Sequence, residues 1–144
     1  MEENWKDVPG YEGLYQVSNI GEVRSLFYRG SKKIQLLKPA QDKKGYLRVT
    51  LYKDKKTHTL QIHRLVGMAF IPNPNNLPCI NHKDCNPGNN HVENLEWCDV
   101  KYNNQYKFGY HEPVRMEIYK QYIKEKQIKK KIYMAEYYRR KKCL

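Results

Sequence analysis

Alternating apolar and polar positions in residues 14–18 and 22–27, on either side of Asn19-Ile20-Gly21, predict a β-hairpin early in the chain. Further strands are expected over 45–52 and 57–63, joined by Lys53-Asp54-Lys55-Lys56. His63 opens an apolar helix. The apolar run from Leu65 to Ile71 is the longest in the chain, well short of the roughly 20 residues of a membrane-spanning helix. Past a proline stop, residues 77–82 and 92–98 predict two partner strands. The turn-rich stretch Asp84-Cys85-Asn86-Pro87-Gly88-Asn89-Asn90 closes the loop between them. Asp99 suits a helix N-cap ahead of residues 100–106. The resulting order is strand, loop, strand, helix.

That order gathers chemistry. With Asp99 as cap, Asn103 lies one turn further on along the same helix face, which can meet the strand end carrying Asn81 and His82. Cutting a phosphodiester needs a base for the attacking water, a cation for the charge on the departing oxygen, and a frame holding both in line. His82 is the candidate base, and Asn81 and Asn103 are the candidate metal ligands. A lone histidine is more often an ordinary satisfied side chain, but the amide beside it and the N-L-E-W strand after it reverse that expectation. His63, in contrast, is expected to pack or to bond a loop rather than to bind a ligand. Turn or cap roles suit Asp84 and Asp99 better than metal ligation, and Trp97 is expected in the core.

Taken together, Asn81-His82-Lys83-Asp84, Asn94-Leu95-Glu96-Trp97 and Asn103 resemble the HNH endonuclease family, and within it the phage and intron homing endonucleases. His63-Arg64-Leu65-Val66 and Phe70-Ile71-Pro72-Asn73-Pro74 are similar to the segment that precedes the motif in that subgroup. The resemblance implies a ββα-metal fold in which His82 activates water, Asn81 and Asn103 hold one divalent ion such as Mg²⁺ or Mn²⁺, and Asn94 pins the loop through backbone hydrogen bonds. The subgroup often carries aspartate where this chain has Asn81, and glycine where it has Cys85. Two amides give an ion no protein charge, so metal binding is expected to wait for a DNA phosphate. A residue other than glycine in a left-handed turn costs roughly 1–2 kcal/mol. Independently, the stretch from Trp5-Lys6-Asp7-Val8-Pro9-Gly10 to Gly21-Glu22-Val23-Arg24-Ser25 is similar to a small modular DNA-binding motif associated with homing nucleases.

Charge agrees with a nucleic-acid partner. The 27 basic and 15 acidic residues leave +12, with a pI near 9.5, a balance that concentrates a protein near polyphosphate. A two-stranded ribbon fits the major groove, about 12 Å wide, so Arg24, Arg48, Lys53, Lys55 and Lys56 are expected to grip phosphates or read base edges. Residues 112–144 hold eleven basic and four acidic side chains, a net +7 of that charge. Pro113 near the start, no later proline or glycine, and Glu125/Lys129 and Glu136/Arg140 four apart predict a long helix there. Its Lys129, Lys130, Lys131, Arg139 and Arg140 are expected to add phosphate contacts; a solvated helix face is the plain alternative. Cys79, Cys85, Cys98 and Cys143 form no C-x-x-C pair, so reduced thiols are expected rather than a zinc site.

The expected architecture is α+β: a small N-terminal antiparallel β module over 1–56, a ββα-metal HNH nuclease core over 57–111, and a basic helical tail over 112–144. The expected function is a homing-type DNA endonuclease that hydrolyses phosphodiester bonds in double-stranded DNA with a histidine base and one divalent ion. It is expected to act as a monomer, with a dimer as the alternative, without a membrane partner, and in the cytoplasm, since Met1-Glu2-Glu3-Asn4 has no basic and apolar signal. The rival is a non-catalytic DNA-binding protein whose degenerate site has lost its metal. An RNA-binding or ribosome-associated role is a third reading.

Overall fold

A computed structural model describes residues 2–27 and 31–107, together with Lys124, Glu125, Ile128, Lys129, Lys131 and Ile132. Among these residues three antiparallel sheets succeed one another. Strands β1 (Trp5–Asp7), β2 (Tyr15–Ser18), β3 (Val23–Ser25) and β4 (Gln35–Leu36) form the first, in that order. Strands β5 (Ala40–Gln41), β6 (Leu47–Lys53) and β7 (Lys56–Gln61) form the second, and β8 (Cys79–His82) and β9 (Leu95–Cys98) the third. Helix α1 (Ile62–Phe70) runs straight on from β7, and α2 (Val100–Lys107) comes after β9. The α+β class expected from the sequence is the one observed.

The two N-terminal hairpins form where the alternation predicts them. In the first, Val17 pairs with Val23 and both are buried. In the second, Val49 and Leu51 point inward while Thr50 and Tyr52 are exposed, the period of a strand with one covered face. Lys53 pairs with Lys56, and Asp54 and Lys55 between them have φ of 52° and 61°. A two-residue turn with both centres left-handed matches the twist of its strands. Strands β1, β4 and β5 had no sequence signal, because two or three residues are too few to show a period.

The boundary expected at 56/57 is not where the chain divides. It would cut β7 after its first residue, and the core ignores it. Val8, Val17 and Val23 pack in one cluster with Val49, Leu51, Ile62, Leu65, Val66, Ile80 and Leu95. Strands this short bury too little apolar surface alone, so the N-terminal sheet shares one core with the second sheet, α1 and the β8–β9 pair. The chain instead divides into two compact units, Met1–Asn103 and Asn104–Leu144, with the boundary inside α2 rather than after residue 111.

Helix α1 braces the third sheet. Ile62, Leu65 and Val66 lie on its buried face, and Gly67 meets β8 so closely that an added Cβ would lie 2.2 Å from Ile80 Cδ1. Trp97 Nε1 donates to the Ile71 carbonyl at 3.0 Å, and Arg64 to the Pro78 carbonyl at 3.2 Å. The strands expected over 77–82 and 92–98 are shorter than predicted. Leu77 is clamped on both sides by the Asn73 amide, and Val92–Asn94 is a 3-10 turn whose Glu93 N–H is accepted by His91 Nδ1. These local side-chain bonds compete with the ladder and win.

Among the described residues no helix is long and apolar enough to cross a membrane. In the tail, Lys124, Glu125, Ile128, Lys129, Lys131 and Ile132 are helical and exposed. Lys130, Arg139 and Arg140, and the rest of the predicted helix, lie outside the described residues.

Candidate active site

The loop between β8 and β9 is organised by amides and one carboxylate. Asn94 Oδ1 accepts the Asp84 N–H at 3.0 Å, its Nδ2 donates to the Asn89 carbonyl at 2.9 Å, and its own carbonyl accepts the Lys83 N–H at 2.8 Å. Asn94 thus bonds the loop backbone at residues 83, 84 and 89. Asp84 accepts from the Asn86 N–H and from the Asn89 and Asn94 amides, at 2.8, 2.7 and 2.9 Å. Asp99 Oδ1 takes the Tyr102 N–H at 2.7 Å as the cap of α2. Both aspartates thus fill the turn and cap roles read from the sequence. Cys85 stands at φ 58°, so the left-handed position is kept without a glycine.

His82 ends β8 and is 5% exposed. Its Nε2 lies 3.2 Å from Asn90 Oδ1, which leaves Nδ1 as the nitrogen able to take a proton from water. The ring stands against His63 at 5.1 Å and Tyr46 at 5.8 Å between centroids. Burial lowers the His82 pKa below the ordinary 6.5, while the Asn90 bond and the Asp84 charge pull the other way. Burial, reinforced by His82 and Arg64, pushes His63 down to about 3. Two neutral rings therefore face each other at neutral pH. His63 packs, as expected, but it packs on the candidate base.

Asn81 belongs to a different group of side chains. It pairs with Glu96 across the β8–β9 ladder, and its Nδ2 donates to Glu96 Oε1 at 2.8 Å. The Tyr102 hydroxyl reaches the same oxygen at 3.3 Å. With its N–H turned to Glu96, Asn81 keeps its carbonyl oxygen as a donor for a hard cation, and the neighbouring carboxylate brings the charge that the amide lacks. Among the described residues no three His, Cys, Asp or Glu side chains cluster as a metal site. Amide oxygens suit Mg²⁺ or Mn²⁺ and poorly suit zinc, so the donor chemistry matches a weakly held hard ion, although Asn81 does not line the cleft that Asn103 lines.

Asn103 lines an open cleft of about 560 Å³ with Asp42, Lys43, Lys44, Tyr46, Arg48, His63 and Arg64. That is space for a nucleotide rather than for an ion alone. His82 lies behind this wall, in ring contact with His63 and Tyr46. Four cations against one carboxylate give the cleft a positive field, which favours a polyanion. Arg48 Nε is buried there without a hydrogen-bond partner, 4.0 Å from Asp42. The other expected DNA contacts differ among themselves. Arg24 stacks 4.1 Å over Trp5 and makes two bonds to Gln16 Oε1, and Lys53 folds back on the Gly10 carbonyl, so both are engaged within the protein. Lys55 and Lys56 are exposed at the β6–β7 turn.

Sequence reasoning missed Asn90, Glu96, Lys43, Lys44 and Arg64 as parts of the site. Asn90 read only as one more turn residue. Glu96 could have been found from register alone, since pairing His82 with Leu95 sets Asn81 opposite Glu96.

The chain is similar in sequence and fold to known proteins. Residues 3–52 match the NUMOD4 motif. The chain is 44% identical over 99 residues to DNA endonuclease I-HmuI of Bacillus phage SP01, covering 69% of this chain and 54% of that protein. It is 49% identical over 67 residues to an uncharacterized HNH endonuclease of Acanthamoeba polyphaga mimivirus, covering 46% of this chain and 20% of that one. A solved structure of DNA binding and cleavage by the HNH homing endonuclease I-HmuI superimposes with a TM-score of 0.63 at 40% identity, over 79% of this chain and 64% of the other. The chain spans about half the length of its phage relative. Over the matched residues the chain resembles the HNH homing endonuclease I-HmuI in sequence and in fold.

Proposed function

We propose that this homologue of HNH homing endonucleases is itself a DNA endonuclease, cutting double-stranded DNA with His82 as general base and one divalent ion, Mg²⁺ or Mn²⁺. The observation that carries the reading is a buried, uncharged His82 with one ring nitrogen on Asn90, set behind a basic cleft that Asn103 lines. His82 Nδ1 takes the proton of the attacking water, and Asn90 Oδ1 supports the Nε2–H as the ring becomes charged. Lys43, Lys44, Arg48 and Arg64 bind and orient the phosphates at the cleft. The oxygens of Asn81 and Asn103 would hold the ion, which when bound supplies charge opposite the departing oxygen. The same proposal has it act in the cytoplasm, as a monomer or a dimer.

Two amides and a neighbouring carboxylate would hold an ion weakly until a DNA phosphate joins them. Titration calorimetry should therefore show tight Mg²⁺ or Mn²⁺ binding only when DNA is present, and Asn103→Ala should abolish plasmid cutting. Asn81→Asp sets a second carboxylate against Glu96, so the variant should lose stability without metal and bind the ion more tightly than wild type. Tight ion binding without DNA, or cutting undiminished in a chelator, contradicts the reading.

A further inference from the structure

The β2–β3 turn lies against the residue that holds the His82 ring. Gly21, at φ +90°, comes so near that an added Cβ would sit 2.7 Å from Asn90 Cβ and 3.3 Å from the Asn90 carbonyl oxygen. Two residues past Asn90, the Val92 N–H donates to the Asn19 carbonyl at 2.8 Å. The turn is itself well tied. Asn19 Oδ1 accepts the Asn4 N–H at 2.8 Å, its Nδ2 donates to the Glu2 carbonyl at 3.2 Å, and Ser18 Oγ accepts the Glu22 N–H at 3.0 Å. Asn90 is 4% exposed and its Nδ2 has no partner. Apart from the bond to His82, then, Asn90 is held through its Cβ and backbone, which pack against this turn.

We infer that Asn90 is a positioning residue for His82, and that the β2–β3 turn, through Gly21 and Asn19, keeps it in place. The inference rests on His82 being the base. An oxygen at Nε2 fixes the ring with its proton there and its lone pair on Nδ1. An amide turned over would offer Nδ2–H to Nε2, move the ring proton to Nδ1, and leave no basic nitrogen for water. The space left beside Asn90 by a residue without Cβ thus helps decide whether the base can work. Residues 3–52, matched to the NUMOD4 motif, contribute this part of the catalytic frame in addition to their strands.

The test joins kinetics to ring spectroscopy. Single-turnover cutting at saturating DNA should fall about 10–100-fold in Asn90→Leu and in Gly21→Ala, less than the ~10²–10⁴ a positioned base contributes, with DNA affinity unchanged. Asn90→Asp keeps the oxygen and should recover most of the rate, which a merely structural role for the amide would not require. The Gly21→Ala/Asn90→Leu double variant should be no slower than the slower single variant, since both act through the same bond. Nitrogen-15 spectra of the neutral His82 ring should place the proton on Nε2 in wild type and on a mixture of both nitrogens in Asn90→Leu. Additive rate losses overturn the inference, as does a wild-type ring protonated on Nδ1. A wild type that keeps the proton on Nε2 but cuts no DNA supports the hold of Asn90 on the ring and refutes the endonuclease reading.

Discussion

The β6–β7 and β8–β9 hairpins have the same backbone pairing and are held by opposite means. The first closes over Asp54 and Lys55 and is anchored by Val49 and Leu51, which set its register without fixing any exposed side chain. The second closes over residues 83–94 and is anchored by the amide and carboxylate bonds of Asp84, Asn89 and Asn94. Apolar burial tolerates change as long as volume is kept, whereas a polar network fixes individual atoms and weakens when one member is lost. The candidate chemistry sits on the polar hairpin, where atoms are placed one by one. The apolar hairpin supplies the stability that lets it do so.

Single changes in each should separate the two roles. Leu51→Ala should cost about 2–5 kcal/mol of stability in denaturant titration, while the folded fraction still cuts DNA at nearly the wild-type rate. Asn94→Ala should cost only about 1–3 kcal/mol, through groups left unpaired. It should nevertheless slow single-turnover cutting about 10²-fold, the usual penalty for a displaced catalytic group. Equal rate losses in the two variants would erase the distinction between the hairpins.

A smaller effect appears with pH. His63 packs on the base and is held near 3 in the folded protein, against its ordinary 6.5. The unfolded chain binds a proton that the fold refuses, so the contribution of the neutral ring is complete above about 6.5 and is lost as pH falls towards about 3. Melting temperature should therefore drop through that window, and His63→Phe should flatten the drop. An equally steep acid loss in the variant would show that His63 is not the group responsible.

The smallest effect concerns the tail, which we propose adds phosphate contacts without chemistry. Each phosphate neutralised steepens the log–log salt dependence of binding by about 0.9. Deleting residues 113–144 should flatten that slope by several such steps and leave cutting at saturating protein intact. An unchanged slope would take the tail off the DNA.

How much was legible in the sequence depends on how far each signal reaches. The turn chemistry of Asp84, the cap at Asp99 and the alternation around Val17 and Val49 act within a few residues, and each is found where the pattern put it. The helical place of Asn103 comes from that cap. Contacts between distant segments left no local trace. Gly21 reaching Asn90, and Asp42 and Arg48 sharing one cleft with His63, depend on how three sheets pack around one core. For the same reason Arg24 read as a surface cation, although Trp5 on β1 and Gln16 on β2 occupy its guanidinium. The boundary drawn at 56/57 failed because composition does not reveal that Val8 and Leu95 belong to one core.

The central claim is that His82, held on the polar hairpin, cuts DNA as a general base. Plasmid cleavage under single-turnover conditions with Mg²⁺ or Mn²⁺, beside DNA affinity measured on the same samples, compares wild type with His82→Ala. A rate lowered about 10²–10⁴-fold with affinity preserved is the outcome expected of a positioned base. Cleavage by His82→Ala at the wild-type rate would contradict it.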